Sequence, residues 1–255
     1  MYPQIVIGEY SISSYLLFAI IGFCFSFFIL SNFLLKKMIF RKYIYVCFIS
    51  WVGMIFFSKL FGFISYLVTI YKSTGRISWK YSFIHSGIVY LGGLIGYLLI
   101  LYILCKFKNR SWDEIKDPIS IVIPLFHGFG RVGCYFAGCC YGKNSNSWFA
   151  FPYRTVATGY IWENRFPVQL SEAVFEFIVF FFLFHLYKKY TFKSNNLSIL
   201  RLYLFFYSIW RFFIEFLRGD EQRGVFGNFS FSQIICFCII ILLISKLLSC
   251  FRRKV

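Results

Sequence analysis

A chain of 255 residues that is 59% hydrophobic, 24% aromatic and only 15% charged has too little polar surface for a soluble globular protein and too much apolar character for a disordered one. Its formal charge of +17 would suit nucleic acid if it lay in a stripe, but the basic residues sit in short clusters between apolar runs, which favours anionic membrane lipid and excludes nucleic acid. With a mean hydropathy of +0.69, the expected fold class is an all-α integral membrane protein, a single polytopic membrane domain over residues 1–255.

In chain order, the opening MYPQIVIGEYSISSY has no basic n-region and no small-residue cleavage site, so the first apolar segment is expected to stay in the protein. Seven apolar segments follow, at roughly 14–35, 44–71, 87–105, 118–137, 168–187, 197–217 and 231–249. Each is long enough for a helix to cross a hydrocarbon core of about 30 Å. The second is longer than one crossing needs, which predicts a tilted span or an interfacial end.

The basic residues predict an orientation. Sixteen of them flank alternate junctions: Lys36, Lys37, Arg41 and Lys42; Lys106, Lys108, Arg110 and Lys116; Lys188, Lys189, Lys193 and Arg201; Lys246, Arg252, Arg253 and Lys254. Eight lie on the opposite side: Lys72, Arg76, Lys80, Lys143, Arg154, Arg165, Arg218 and Arg223. By the positive-inside rule the N-terminus is outside and the C-terminus cytoplasmic. The longest connection, about 142–165 and aromatic-rich from Trp148 to Tyr160, then lies at the outer interface.

Six ionisable residues are left within spans or at their mouths: Lys59, Arg131, Arg211, Glu172, Glu176 and Glu215. Charge at membrane depth is costly, so each is a candidate for function, the alternative being an internal ion pair that fixes helix packing. Tyr207, Arg211, Glu215 and Arg218 recur at i, i+4, i+8 and i+11, one face of a helix. Glu215 can hold Arg211, and a planar guanidinium fork suits a phosphate.

A second cluster, HGFGRVGCYFAGCCYG at 127–142, places His127 and Arg131 four residues apart. Its glycines at 128, 130, 133, 138 and 142 argue against one continuous helix and for close backbone approach to a neighbour or ligand. GGLIG at 92–96 offers similar close packing. Cys134, Cys139 and Cys140 admit three readings: a zinc site with His127, a disulfide on an oxidising outer face, or small residues lining a pocket. Their spacing does not match the paired C-x2-C of structural zinc sites, so no metal and no cofactor is expected. The other cysteines, Cys24, Cys47, Cys105, Cys236, Cys238 and Cys250, read as small hydrophobes in apolar runs.

Several of these segments together resemble the prolipoprotein diacylglyceryl transferase family along nearly the whole chain. IGEYSISSY resembles its N-terminal leader, and Ser58-Lys59-Leu60 its small-basic-aliphatic element. GIVYLGGLIG at 87–96 resembles the segment with a histidine before paired glycines, and GRVGCYFAG at 130–138 with Gly142 its Gly-Arg-Ile-Gly-Asn signature. RFPVQLSE at 165–172 and YSIWRFFIEFLR at 207–218 resemble the Pro-x-Gln-Leu-Tyr-Glu and Tyr-x3-Arg-x3-Glu-Phe-x-Arg elements.

The resemblance implies an enzyme of the bacterial cell membrane that moves the diacylglyceryl group of phosphatidylglycerol onto the lipobox cysteine thiol of a prolipoprotein and releases glycerol phosphate. It implies that Arg131 and Arg211 hold the phosphate, that Tyr207 lines the head-group site, and that Gln169 and Glu215 support the arginines. Gly92, Gly93, Gly133, Cys134, Gly142, Glu172 and Arg218 fall with them in the substrate site.

The departures are specific: Leu91 stands at the family's histidine, Cys134 at its signature asparagine and Cys139 at its acidic residue. His127 is the expected replacement base, with orientation of Arg131 as its alternative role. Two other readings stay open, a divergent relative with another acceptor or lipid donor, and a non-catalytic lipid-binding membrane protein.

Overall fold

The computed structural model describes residues 3–8, 10–36, 38–76, 79–154, 162–189, 198–220 and 224–252. Its helices are α1 (Ser14–Lys36), α2 (Phe40–Thr74), α3 (Trp79–His85), α4 (Tyr90–Phe107), α5 (Trp112–Ala137), α6 (Val168–Lys189), α7 (Ile199–Ile214) and α8 (Phe231–Arg252). Three two-stranded antiparallel sheets accompany them: β1 (Gln4–Ile7) with β2 (Tyr10–Ser13), β3 (Phe151–Arg154) with β4 (Trp162–Arg165), and β5 (Val225–Phe226) with β6 (Phe229–Ser230).

Each of the seven expected segments coincides with one helix, as hydrocarbon demands of a backbone, but α7 at 16 residues falls short of the spanning length expected of 197–217. The long second segment is one helix of 35 residues. Five helices, α1, α2, α4, α5 and α6, are long and apolar enough to cross a membrane, and α8 adds a shorter apolar stretch, Phe231–Lys246. The burial pattern is that of a multi-pass membrane protein. Phe28, Phe48, Val52, Ile55, Phe181 and Phe213 are exposed, while Arg131, Glu172, Arg211 and Glu215 are buried. Lys37, Lys193, Arg223, Arg253, Lys254 and Tyr160, used above for orientation and interface, lie outside the described residues.

The chain forms two compact units, one of Met1–Phe33, Asp117–Asp220 and Ile239–Val255, the other of Leu34–Lys116 and Glu221–Cys238. In the first, α5 is the most enclosed of the five apolar helices and α1 the least. Rings tie it to its neighbours: Phe18 of α1 stacks on Phe136, Phe25 on Phe129, and Phe177 of α6 meets Phe129 edge-on, at centroid distances of 5.1, 5.6 and 5.4 Å. Phe175 of α6 stacks on Trp210 of α7 at 4.5 Å.

The glycines of 127–142 correct one expectation. The helix runs unbroken through Gly128, Gly130 and Gly133 to Ala137. Tight neighbours and not a break explain two of them: a Cβ on Gly128 would sit 2.7 Å from the Phe177 ring, and one on Gly133 3.2 Å from the Tyr15 backbone. The break comes at Gly138, whose φ of 74° an L side chain rarely adopts.

In the second unit α4 lies on α2 through its glycine face. A Cβ at Gly92 would meet Phe61 at 2.5 Å, and at Gly93 and Gly96 it would strike Ser58 and Phe57. The close packing expected of GGLIG is therefore made against α2. Lys59 is held in the same unit, its ammonium donating to the Ser86 carbonyl at 2.6 Å and standing over the Phe83 ring. Leu91 is buried.

Candidate active site

Three helices of the first unit present their polar residues on a shared interior. On α5, His127, Arg131 and Cys134 follow at helical spacing, all buried. On α6 the buried face carries Gln169, Glu172 and Glu176, and on α7 it carries Tyr203, Tyr207 and Arg211. The helical face expected for 207–218 is cut short: α7 stops at Ile214, Glu215–Leu217 form one 3-10 turn and Arg218 is extended. The Arg211–Glu215 pair survives, at 2.6 Å.

The side chains form one continuous line. Glu176 Oε1 lies 2.8 Å from His127 Nδ1, and Arg131 Nε donates to His127 Nε2 at 3.0 Å. Glu172 bridges two arginines, its Oε2 3.1 Å from Arg131 Nε and its Oε1 2.6 Å from Arg211 Nη1. Glu215 takes Arg211 Nη2 and, at 3.8 Å, Arg218 Nη1. Asp220 ends the line with a bidentate grip on Arg218, Nε to Oδ1 at 2.8 Å.

Two consequences follow for roles. Since Arg131 donates to Nε2, the imidazole proton sits on Nδ1 and points at Glu176, so both ring nitrogens are engaged within the protein. In this geometry His127 orients Arg131, and Tyr207 supports it edge-on at 5.7 Å. The terminal nitrogens of Arg131 are bonded to none of the described residues, so its fork is left for an anion.

Beside the charged line lies a short ladder. Gly142 pairs with Arg218, the Gly219 N–H donates to the Tyr141 carbonyl at 2.9 Å and the Lys143 N–H to the Leu217 carbonyl at 2.8 Å. Gly142 and Gly219 permit this approach, since a Cβ on Gly219 would lie 2.5 Å from the Gly142 carbonyl oxygen. Arg165 donates to that carbonyl and stacks on Tyr141.

Gln169 does not reach the arginines. It donates to the Cys139 carbonyl at 2.6 Å and accepts from the Tyr153 hydroxyl at 2.9 Å, which holds the cysteine turn in place. The neighbouring Cys134 and Cys139 thiols, then the charges of Arg218 and Arg131, hold the Cys140 thiol well below the ordinary thiol range. Gly133 packs on α1, and Gly92 and Gly93 lie in the α2–α4 seam of the second unit.

Among known proteins, the family model described as prolipoprotein diacylglyceryl transferase matches residues 4–248. The chain belongs to the prolipoprotein diacylglyceryl transferase family. It is 36% identical over 160 residues to the phosphatidylglycerol–prolipoprotein diacylglyceryl transferase of Clostridium tetani, covering 62% of this chain and 61% of that one. To transferase 2 of Clostridium perfringens it is 36% identical over 185 residues, 71% of this chain and 69% of the relative. For the Campylobacter hominis enzyme the values are 32% over 160 residues, 62% and 54%. The matches thus span between about half and two thirds of these relatives' lengths. The region matched to the transferase family contains the whole charged line from His127 to Asp220.

Glu176 was legible as a buried carboxylate one helical turn beyond Glu172 but without a role in the site, and Asp220, the acid two residues after Arg218, went unnoticed.

Proposed function

We propose that the protein is an enzyme of a bacterial cell membrane that transfers the diacylglyceryl group of phosphatidylglycerol to a cysteine thiol of a prolipoprotein, releasing glycerol phosphate. Donor and acceptor are carried over from the names of the Clostridium and Campylobacter relatives. The observation that carries the reading is the unused fork of Arg131, a fixed cation enclosed by protein and aimed by His127 and Glu172. A lipid phosphate is the anion a membrane supplies to it.

In this reading Arg131 and Arg211 hold the phosphate, Glu215 and Glu172 fix both guanidinium planes, and Tyr207 lines the head-group site with Gly142 and Arg218 at its mouth. The acceptor sulfur attacks the glyceryl carbon that bears the phosphate; the new S–C bond forms as the C–O bond breaks, and glycerol phosphate leaves with the electron pair. Positive charge in a low-dielectric site stabilises that leaving group. His127 positions Arg131. The acceptor is a lipobox peptide presented from the outer side, with the N-terminus outside and the C-terminus cytoplasmic.

The test uses the purified full chain, phosphatidylglycerol vesicles and a lipobox peptide. Glycerol phosphate release together with the thioether mass on the peptide supports the reading. Phosphatidylglycerol binding with no release for any thiol peptide overturns it in favour of a lipid-binding protein. Release with another thiol peptide but none with the lipobox moves the acceptor.

A further inference from the structure

Cys134, Cys139 and Cys140 have no part in the phosphate grip described above. Their sulfurs all lie within 4.8 Å of one another. The backbone brings them there. At the end of α5 the Cys139 N–H donates to the Cys134 carbonyl and the Gly138 N–H to the Tyr135 carbonyl, both at 3.2 Å, around the left-handed Gly138. This paired closure lays the second residue past the helix over the residue five before it. Here both are cysteines, and the Cys139 thiol donates to the Cys134 carbonyl at 3.8 Å. Cys140 then adopts a φ of 57°. A residue with a Cβ is disfavoured there, and the conformation folds the third sulfur back onto the first two.

The spacing suits a metal ion. Thiolates bound at about 2.3 Å in a tetrahedron lie roughly 3.8 Å apart, so small side-chain rotations suffice. Among the described residues no His, Asp or Glu completes the group. His127 in particular is engaged by Glu176 and Arg131. Three protein ligands with an open fourth position distinguish a reactive zinc site from a closed structural one. Access is graded, with Cys134 buried, Cys140 half-buried and Cys139 exposed. Three thiolates around a divalent ion leave one negative charge, and Arg131 stands one turn before Cys134 on α5.

We propose that Cys134, Cys139 and Cys140 bind a thiophilic divalent cation, zinc, through three thiolates and leave its fourth position to an exchangeable ligand. Binding releases to solvent the protons that the three sulfurs still carry. An incoming acceptor thiol that displaces water from the fourth position loses its proton to solvent as its sulfur binds, which prepares the nucleophile that thioether formation needs. With Leu91 at the family's histidine and both nitrogens of His127 occupied, the metal takes the place of a side-chain base. The acceptor step rests on the transfer activity proposed above; the metal site does not.

The experiment uses the full chain in detergent, reduced and chelator-treated, then titrated with Cd2+ as an ultraviolet probe of metal–thiolate bonds and with Zn2+ against a chromophoric chelator. One equivalent of either ion with a thiolate band is the expected result. Cys134→Ser, Cys139→Ser and Cys140→Ser should each weaken zinc by about 10- to 100-fold or more. The triple variant should lose the band with helicity retained by circular dichroism, and Cys24→Ser should keep it. Failure of the reduced protein to bind, survival of the band in the triple variant, or a disulfide between two of the three in protein isolated from cells overturns the site. Equal glycerol phosphate release from chelated and zinc-loaded protein overturns the acceptor step alone. If neither form releases glycerol phosphate while zinc still binds, the transfer reading fails and the metal site stands.

Discussion

Glu172 and Arg211, 39 residues apart in the chain, meet through a 2.6 Å bond between Oε1 and Nη1. Because the other oxygen of Glu172 takes Arg131, one carboxylate sets the relation between two cations that would otherwise repel each other at membrane depth.

Glu172→Gln removes that charge, leaving Arg131 with no carboxylate among the described residues and Arg211 with Glu215 alone. Breaking a buried pair from one side costs about 3–5 kcal/mol, so the thermal unfolding midpoint in detergent should fall clearly. An unchanged midpoint would mean that Glu172 does not hold the arginines together.

Arg131→Ala removes the fork proposed to bind the phosphate. Glycerol phosphate release should fall by about 100- to 1,000-fold, the loss typical of one charge-stabilising donor. Arg131→Lys should recover little of it, since an ammonium keeps the charge but cannot bond His127 and a phosphate in one plane. Full recovery by lysine would show that charge alone matters.

His127→Asn tests positioning against proton transfer. A general base works unprotonated, so its removal would erase a limb on which the rate rises with pH. A residue that orients Arg131 should instead lower kcat/KM, by on the order of a hundredfold for a misplaced group, and leave the pH profile unchanged in shape. A flattened low-pH limb would restore His127 as the base.

Two glycines two residues apart on α5, and so on different faces of the helix, should behave oppositely. Gly128→Ala drives a methyl group into the Phe177 ring, 2.7 Å away, and should destabilise by about 1–3 kcal/mol. Gly130→Ala meets nothing within 4 Å and should stabilise the helix by up to about 1 kcal/mol. Unfolding midpoints of the two variants compare them directly.

Much of this was readable from the residues. Apolar runs of spanning length predicted the helices to within a few residues, since hydrocarbon leaves the backbone no other solution. Arg211 with Glu215 followed from helical spacing alone. The glycines of 127–142 misled because glycine marks both a break and a close contact, and the two differ only in what stands opposite: Phe177 and Tyr15 at Gly128 and Gly133, open chain reversal at Gly138. Gln169 looked like an arginine support, yet its partners Cys139 and Tyr153 lie 30 and 16 residues away, on segments that only folding brings near.

By itself the sequence determined the class of the molecule, its helical segments and the identity of its buried charges, because these depend on composition and on periods of a few residues. The tertiary structure alone decided how the charges are shared. It gave Arg131 a neutral imidazole and half a carboxylate and left its fork unused, and it turned the end of α5 so that three cysteines meet. Partner choice among buried ionisable groups depends on distances between helices, and no local pattern along one helix carries that information.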